Sequence, residues 1–162
     1  MSRRQCLQWG LSAGALLLTG CASLPPPSQQ PNHWTGRLVL HIQDTPAQRH
    51  SASFELIGSA TQGELNLFTP LGSTVAQARW TPTLALLQQG ERIQTFADMP
   101  DLLQAATGAA LPLVAVFDWL QGNPASSPGW EVDLTQHAQG RIRAQRSAPL
   151  PAVQLLIVLQ SP

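Results

Sequence analysis

From Trp34 onward apolar and polar residues exchange places at almost every step, the two-residue period of a half-buried β-strand. In "RLVLHIQ", Leu38, Leu40 and Ile42 fall on one face, and Arg37, Val39 and His41 on the other. "RHSASFELIG" sets Ala52, Phe54 and Leu56 against Arg49, Ser51, Ser53 and Glu55. "GELNLFT" sets Leu65 and Leu67 against Glu64 and Asn66, and "STVAQARW" sets Ala76, Ala78 and Trp80 against Gln77 and Arg79. "TLALLQQ" and "GERIQTF" continue the meander, divided by the turn signals Thr81-Pro82 and Gln89-Gly90. After a break, "GWEVDL", "GRIRAQR" and "VQLLIVLQ" carry Trp130, Val132, Ile142, Leu155 and Ile157 on their apolar side. The pattern predicts about nine short antiparallel strands, each with one apolar and one polar face.

Two segments between the sixth and seventh strands change period. Asp98 suits an N-cap, Pro100 a first helical turn and Gly108 a stop, around a helix that shows Leu102, Leu103 and Ala106. Pro112 opens "PLVAVFDWLQG", where Leu113, Val116, Phe117 and Leu120 recur at helical spacing and Gly122 ends the run. Asp118 and Trp119 then belong to a solvated helix face. The fold expected is mostly β: a curved antiparallel sheet with two amphipathic helices over its concave, apolar side. A membrane-spanning barrel fits less well, because its strands would run to about 9–11 residues with their apolar side toward lipid.

One turn stands out. In "NLFTPLGSTVAQ" the residues Thr69-Pro70-Leu71-Gly72 suit a β-turn, with Pro70 at the second position and Gly72 at the fourth. The residue offered at its tip is Leu71. It either folds back onto the sheet or stands in solvent as an ordinary lone leucine, unless it has an apolar partner outside the chain.

The start of the chain adds a compartment. "MSRRQCLQWGLSAGALLLTGCAS" has a basic opening at Arg3 and Arg4, an apolar run over Leu11–Leu18 and small residues after it. That is a secretory signal, far short of the ~20 residues a membrane span needs. "SRRQCL" also resembles a twin-arginine export signal. Leu18-Thr19-Gly20-Cys21 resembles the lipobox of bacterial lipoproteins. The resemblance implies cleavage before Cys21, a diacylglycerol on its thiol and an acyl group on the new amine. Ala22, where an Asp would signal inner-membrane retention in enterobacterial lipoproteins, implies passage to the outer membrane. The organisation expected is therefore a signal peptide over 1–20, a lipidated Cys21 with a Pro-rich tether over 21–33, and one domain over 34–162. The tether "ASLPPPSQQPN" favours an extended course and reaches roughly 30 Å.

Without Arg3 and Arg4, seven arginines face nine acids and no lysine occurs, a net charge of −2. That balance argues against nucleic acid as a partner. Cys6 leaves with the signal and Cys21 is spent on lipid, so no thiol remains for a disulfide or metal. The histidines at 33, 41, 50 and 137 lack ligand spacing, so no metal is expected. No G-x-S-x-G elbow surrounds Ser73, Asp118 has no second carboxylate at working distance along its helix, and no phosphate-binding loop occurs. These absences point away from an enzyme and from any cofactor beyond the lipid on Cys21.

"HWTGRLVLHI", "FELIGSATQGELNLFTPLGSTVAQARW", "LPLVAVFDWLQG" and the later Gly-Trp strand together resemble the LolB family of outer-membrane lipoproteins. The likeness runs from Trp34 to near the C-terminus, with Asn66–Thr74 its most specific block. It implies an unclosed half-barrel whose helices form a lid over a cavity for acyl chains. It implies a periplasm-facing, lipid-anchored and monomeric protein at the outer membrane, with LolA carrying client lipoproteins, those clients, and outer-membrane phospholipid as partners. It matches Leu71, held by Pro70 and Gly72, to the family's membrane-insertion turn. Leu38, Leu40, Ile42, Phe54, Leu56, Leu65, Leu67 and Trp80 would line the cavity, with Leu102, Leu103, Val116 and Phe117 as its roof. From spacing alone, the same side chains more readily fill a closed core, and it is the resemblance that points to a cavity. A carrier of another amphiphile and a structural envelope lipoprotein remain the alternatives. The chain departs from longer family members between Gly122 and Gly129, where "NPASSP" replaces an additional strand region.

Overall fold

A computed structural model describes residues 32–160. The segment expected to be a signal peptide, Cys21 and most of the expected tether lie outside the described residues. Nine strands form one antiparallel sheet: β1 His33–Gln43, β2 Gln48–Gly58, β3 Gly63–Phe68, β4 Thr74–Thr81, β5 Leu84–Gln89, β6 Arg92–Phe96, β7 Trp130–Asp133, β8 Arg141–Arg146 and β9 Ala152–Leu159. Their spatial order is β6-β5-β4-β3-β2-β1-β9-β8-β7. The first six strands are a meander, and β9 returns beside β1. β6 and β7 are the two edges and do not pair with each other, so the sheet is an unclosed half-barrel, as the resemblance implied. Both edge strands are short, which limits their exposed hydrogen-bonding groups.

β1 and β2 run to eleven residues each, longer than the alternation suggested. They pair continuously from His33↔Ile57 to Ile42↔Gln48, because the polar turn between them lies beyond the last apolar position. What separates the sheet from a membrane-spanning barrel is therefore its open edge and polar outer face, rather than strand length.

Register aligns the apolar positions into rows. One row crosses Trp34, Leu56, Leu65, Ala78 and Leu87 on five successive strands. On the other side of β1, Leu40 meets Leu155, which meets Ala144, which meets Val132. Paired residues in an antiparallel sheet project to the same face, so these rows give one continuous apolar surface. Gly36 faces Phe54 across β1 and β2, where a Cβ would collide with the Val158 carbonyl oxygen.

Two helices cover that surface, α1 Met99–Thr107 and α2 Leu113–Leu120. Asp98 caps α1 by accepting a hydrogen bond from the Asp101 amide at 2.9 Å, and Gly108 ends it with a left-handed conformation. α1 buries Met99 and Leu102, while Ala106, expected on the same face, is exposed. α2 buries Ala115, Phe117, Trp119 and Leu120, and leaves Leu113 and Val116 half-buried. Trp119 is thus a core residue, which corrects its assignment to a solvated face. Its indole N–H donates to the Ala125 carbonyl at 2.9 Å, and its ring lies 6.0 Å from that of Trp130. The stretch after Gly122 accordingly supplies the acceptor for a buried indole.

The outer face is held by polar cross-strand contacts. Glu64 accepts hydrogen bonds from Asn66 (2.9 Å), Gln77 (3.0 Å) and the Arg79 guanidinium (2.9 Å). The Asn66 bond leads in holding the Glu64 carboxyl below its ordinary value, partial burial opposes it, and Arg79 and Gln77 add to the lowering. A carboxyl lowered in the fold adds stability that is complete above its unfolded value and is lost as pH falls through its folded one. Glu64→Gln should therefore lower stability slightly at neutral pH, by less than about 1 kcal/mol at this solvated site. The gap to the parent should close on acidification below the ordinary glutamate range, as read by urea denaturation across a pH series.

Candidate acyl-chain site

The residues expected to line a cavity come together in one hydrophobic cluster. Leu40, Ile42, Phe54, Leu56, Trp80, Leu102 and Phe117 are buried within it. Leu38, Leu65, Leu67, Leu103 and Val116 are partly buried against it. The sheet supplies the first group through its period of two, and the helices supply Leu102, Leu103, Val116 and Phe117 from above. In this arrangement the helices rest on the sheet.

Aromatic rings mark the line of contact. Phe117 on α2 meets Trp34 edge-on at 5.6 Å and Trp80 at 6.4 Å, so one helical ring spans β1 and β4. Such pairs contribute about 0.5–1.5 kcal/mol beyond their buried area. Trp80 is oriented by its indole N–H, which donates to the Ser59 carbonyl at 3.0 Å.

Arg146 also faces inward, because the alternation that turns Ile142 and Ala144 to the core does the same to it. It is 6% exposed, and its guanidinium lies 5.7 Å from the centre of the Trp130 ring. It donates to the Ala110 carbonyl at 3.1 Å and to the Pro151 carbonyl at 3.3 Å, while its Nε has no partner among the described residues. Ala110 belongs to the connection between α1 and α2, so this cation fastens the helices to the far side of the sheet. Such a charge-assisted bond is stronger than a neutral one.

Leu71 does not fold back onto the sheet. It is 96% exposed at the tip of the β3–β4 turn. The Gly72 amide donates to the Thr69 carbonyl at 2.9 Å, and the Thr69 amide to the Ser73 carbonyl at 2.8 Å. Ser73 also donates from its amide to the Thr69 hydroxyl at 3.1 Å. Gly72 has φ 86°, a conformation that favours glycine. Pro70 and these three bonds hold the leucine outward.

The histidines have separate local roles. His33 lies 3.0 Å from Glu55, and His137 lies 3.1 Å from the Leu120 carbonyl. His41 lines a groove of about 700 Å³ on the outer face with Arg49, Asp133 and Arg143.

An unclosed antiparallel half-barrel, lidded by helices on an apolar face and carrying a projecting apolar turn, is the class of protein that this geometry defines. The family model described as "Outer membrane lipoprotein LolB" matches residues 32–150. Proteins named "Outer-membrane lipoprotein LolB" are similar along most of their length. That of Cupriavidus pinatubonensis is 34% identical, over 87% of this chain and 70% of its own. Those of Bordetella petrii and Ralstonia nicotianae are each 31% identical over 81% of this chain, and over 69% and 68% of their own. The chain belongs to the LolB family, and thus to the outer-membrane lipoproteins of lipoprotein localisation.

Phe117→Ala removes the ring shared by Trp34 and Trp80. The loss should be about 3–5 kcal/mol, the usual cost of emptying a buried phenylalanine site. Urea unfolding followed by tryptophan fluorescence measures it directly. A loss below ~1 kcal/mol, the general size of a point mutation, would mean that α2 is not held by this contact.

Proposed function

We propose that this lipoprotein receives client lipoproteins from a LolA-type carrier, shelters their acyl chains against its apolar inner face, and releases them into the inner leaflet of the outer membrane. The observation that carries this reading is the pairing of a continuous apolar sheet face with a fully projecting Leu71. A closed core would need the apolar sheet face too, but not a leucine held 96% exposed at a turn tip.

The physics of the client sets the task. Each acyl methylene left in water costs ~0.8 kcal/mol, and a lipoprotein carries dozens, so the chains must pass from one shelter to another. In the proposed cycle α1 and α2 lift from the sheet, and acyl chains replace Leu102, Leu103, Val116 and Phe117 against the β-strand residues. Apolar contacts are exchanged for apolar contacts, so opening is offset as the client enters. Transfer runs downhill, from carrier to this protein to bilayer, and needs no nucleotide.

The anchor and the turn then act on the same membrane. Lipid on Cys21 keeps the domain at the outer membrane. β1 starts at the end of the sheet opposite the β3–β4 turn, so the tether must cover the length of the domain. If its prolines keep it extended, an eleven-residue tether would reach roughly 30 Å, comparable with the roughly 36 Å of an eleven-residue strand. Leu71 can therefore meet the bilayer that holds Cys21. A leucine inserted among lipid tails disturbs their packing where the client has to enter.

Leu71→Glu should fold normally, within about 0.5 kcal/mol of the parent, because the side chain touches nothing in the domain. It should still take client from the carrier, yet deliver it to liposomes about tenfold more slowly, since the lost insertion is worth ~1.5–3 kcal/mol. The assay follows a tagged lipoprotein from carrier to protein to vesicle. Delivery at the parent rate would remove the turn from the mechanism. Failure of the parent protein itself to accept client or an apolar probe would leave the inner face a closed core.

A further inference from the structure

The large apolar side chains exposed by the domain are Leu71, Val75, Leu84, Ile93, Val114 and Leu150. Strand direction sorts them. The β3–β4 turn, the β5–β6 turn, the β1–β2 turn and the β8–β9 loop all lie at the end of the sheet opposite the start of β1. Leu71 and Val75 flank the first of these, Ile93 follows the second, and Leu150 sits in the last. The two most exposed, Leu71 at 96% and Leu150 at 82%, are both at this end.

Leu150 is also presented as Leu71 is. The loop "SAPLPAV" has no charged residue and places Pro149 and Pro151 on either side of the leucine. Its base is fixed: Arg146 holds the Pro151 carbonyl at 3.3 Å, and the Ala148 carbonyl lies so close to Gly129 that a Cβ there would collide with it. Val153, two residues on, is fully buried. A loop pinned at both ends leaves its leucine largely exposed, at 82%. The other turns at this end carry Asp44 and Glu91 beside Arg49 and Arg92, a mixed-charge rim suited to lipid headgroups.

We infer that this end of the sheet is a two-point membrane contact, in which Leu150 of the β8–β9 loop enters the phospholipid alongside Leu71. The inference rests on the reading of Leu71 given above and extends it from one turn to a surface. The occupant is a phospholipid surface, because both leucines project singly from turns without charge, at the end of the sheet that the proposed Cys21 anchor can bring to the bilayer. Arg146 gives the contact a structural connection, since the same guanidinium that holds the Leu150 loop holds Ala110 between the helices.

Single cysteines at position 150, at 71 and at Thr61 in the opposite β2–β3 turn, each carrying an environment-sensitive fluorophore, test this in the full lipidated protein. The protein is placed in vesicles of phosphatidylethanolamine and phosphatidylglycerol, with a quencher attached to the lipid tails. Probes at 150 and 71 should both be quenched from the lipid and protected from aqueous iodide, with the Thr61 probe showing the reverse. If 71 is quenched and 150 behaves like Thr61, the second contact does not exist and the Leu71 reading stands. If neither responds, both fall. If 150 is shielded only after the loaded carrier is added, the loop is a protein-docking surface and the inference is overturned. Leu150→Glu should slow client delivery several-fold with client acceptance unchanged, and an unaltered delivery rate in a folded variant contradicts it.

Discussion

The chain leaves the sheet at β6, one edge, and re-enters at β7, the other, so the segment between them has to cross the whole domain. It crosses on the apolar side, and this determines the rest. Met99 and Leu102 take it over the first edge, Phe117 over the middle against Trp34 and Trp80, and Trp119 to Trp130 on the second edge. A connection that must span the sheet and must also exclude water from it becomes a pair of short amphipathic helices. The open edge follows from the same fact, because closure of β6 onto β7 would leave that connection no face to cover.

This arrangement divides the molecule by strength. The sheet is a continuous ladder of backbone hydrogen bonds with register fixed on both sides of β1. The helices have nine and eight residues and rest on the sheet through side chains, with Arg146 as a polar fastening. Short helices draw their stability from packing rather than from their own backbone. An interface of that kind is where an apolar guest can replace a protein side chain without disturbing the ladder. In the proposed mechanism the sheet is the constant wall and the helices are the exchangeable one.

Much of this is legible in the sequence, for identifiable reasons. Alternation placed Leu38 through Trp80 on one face, because a period of two can be realised in only one way on a strand. The Asp98 and Gly108 signals placed α1 because capping is local chemistry. Trp119 was misplaced because α2 is covered on two sides: its strip of Phe117 and Leu120 faces the sheet, while the loop after Gly122 supplies Ala125 to the indole. Nothing in helical spacing announces that second cover. Arg146 is hard to read because an arginine suggests solvent, although the alternation along its strand places it inward beside Trp130. Leu71 was visible as an anomaly, whereas its 96% exposure depends on turn hydrogen bonds that only the fold supplies.

The central claim is that the interface between helices and sheet opens to hold acyl chains. Its most direct test is an NMR measurement of contacts between the acyl methylenes of a bound lipopeptide and the ring protons of Trp34, Trp80 and Phe117. The account predicts cross-peaks from the acyl chain to all three rings, together with loss of the peaks that connect Phe117 to the two tryptophans. Cross-peaks confined to exposed residues such as Leu71, with the Phe117 contacts intact, would contradict it.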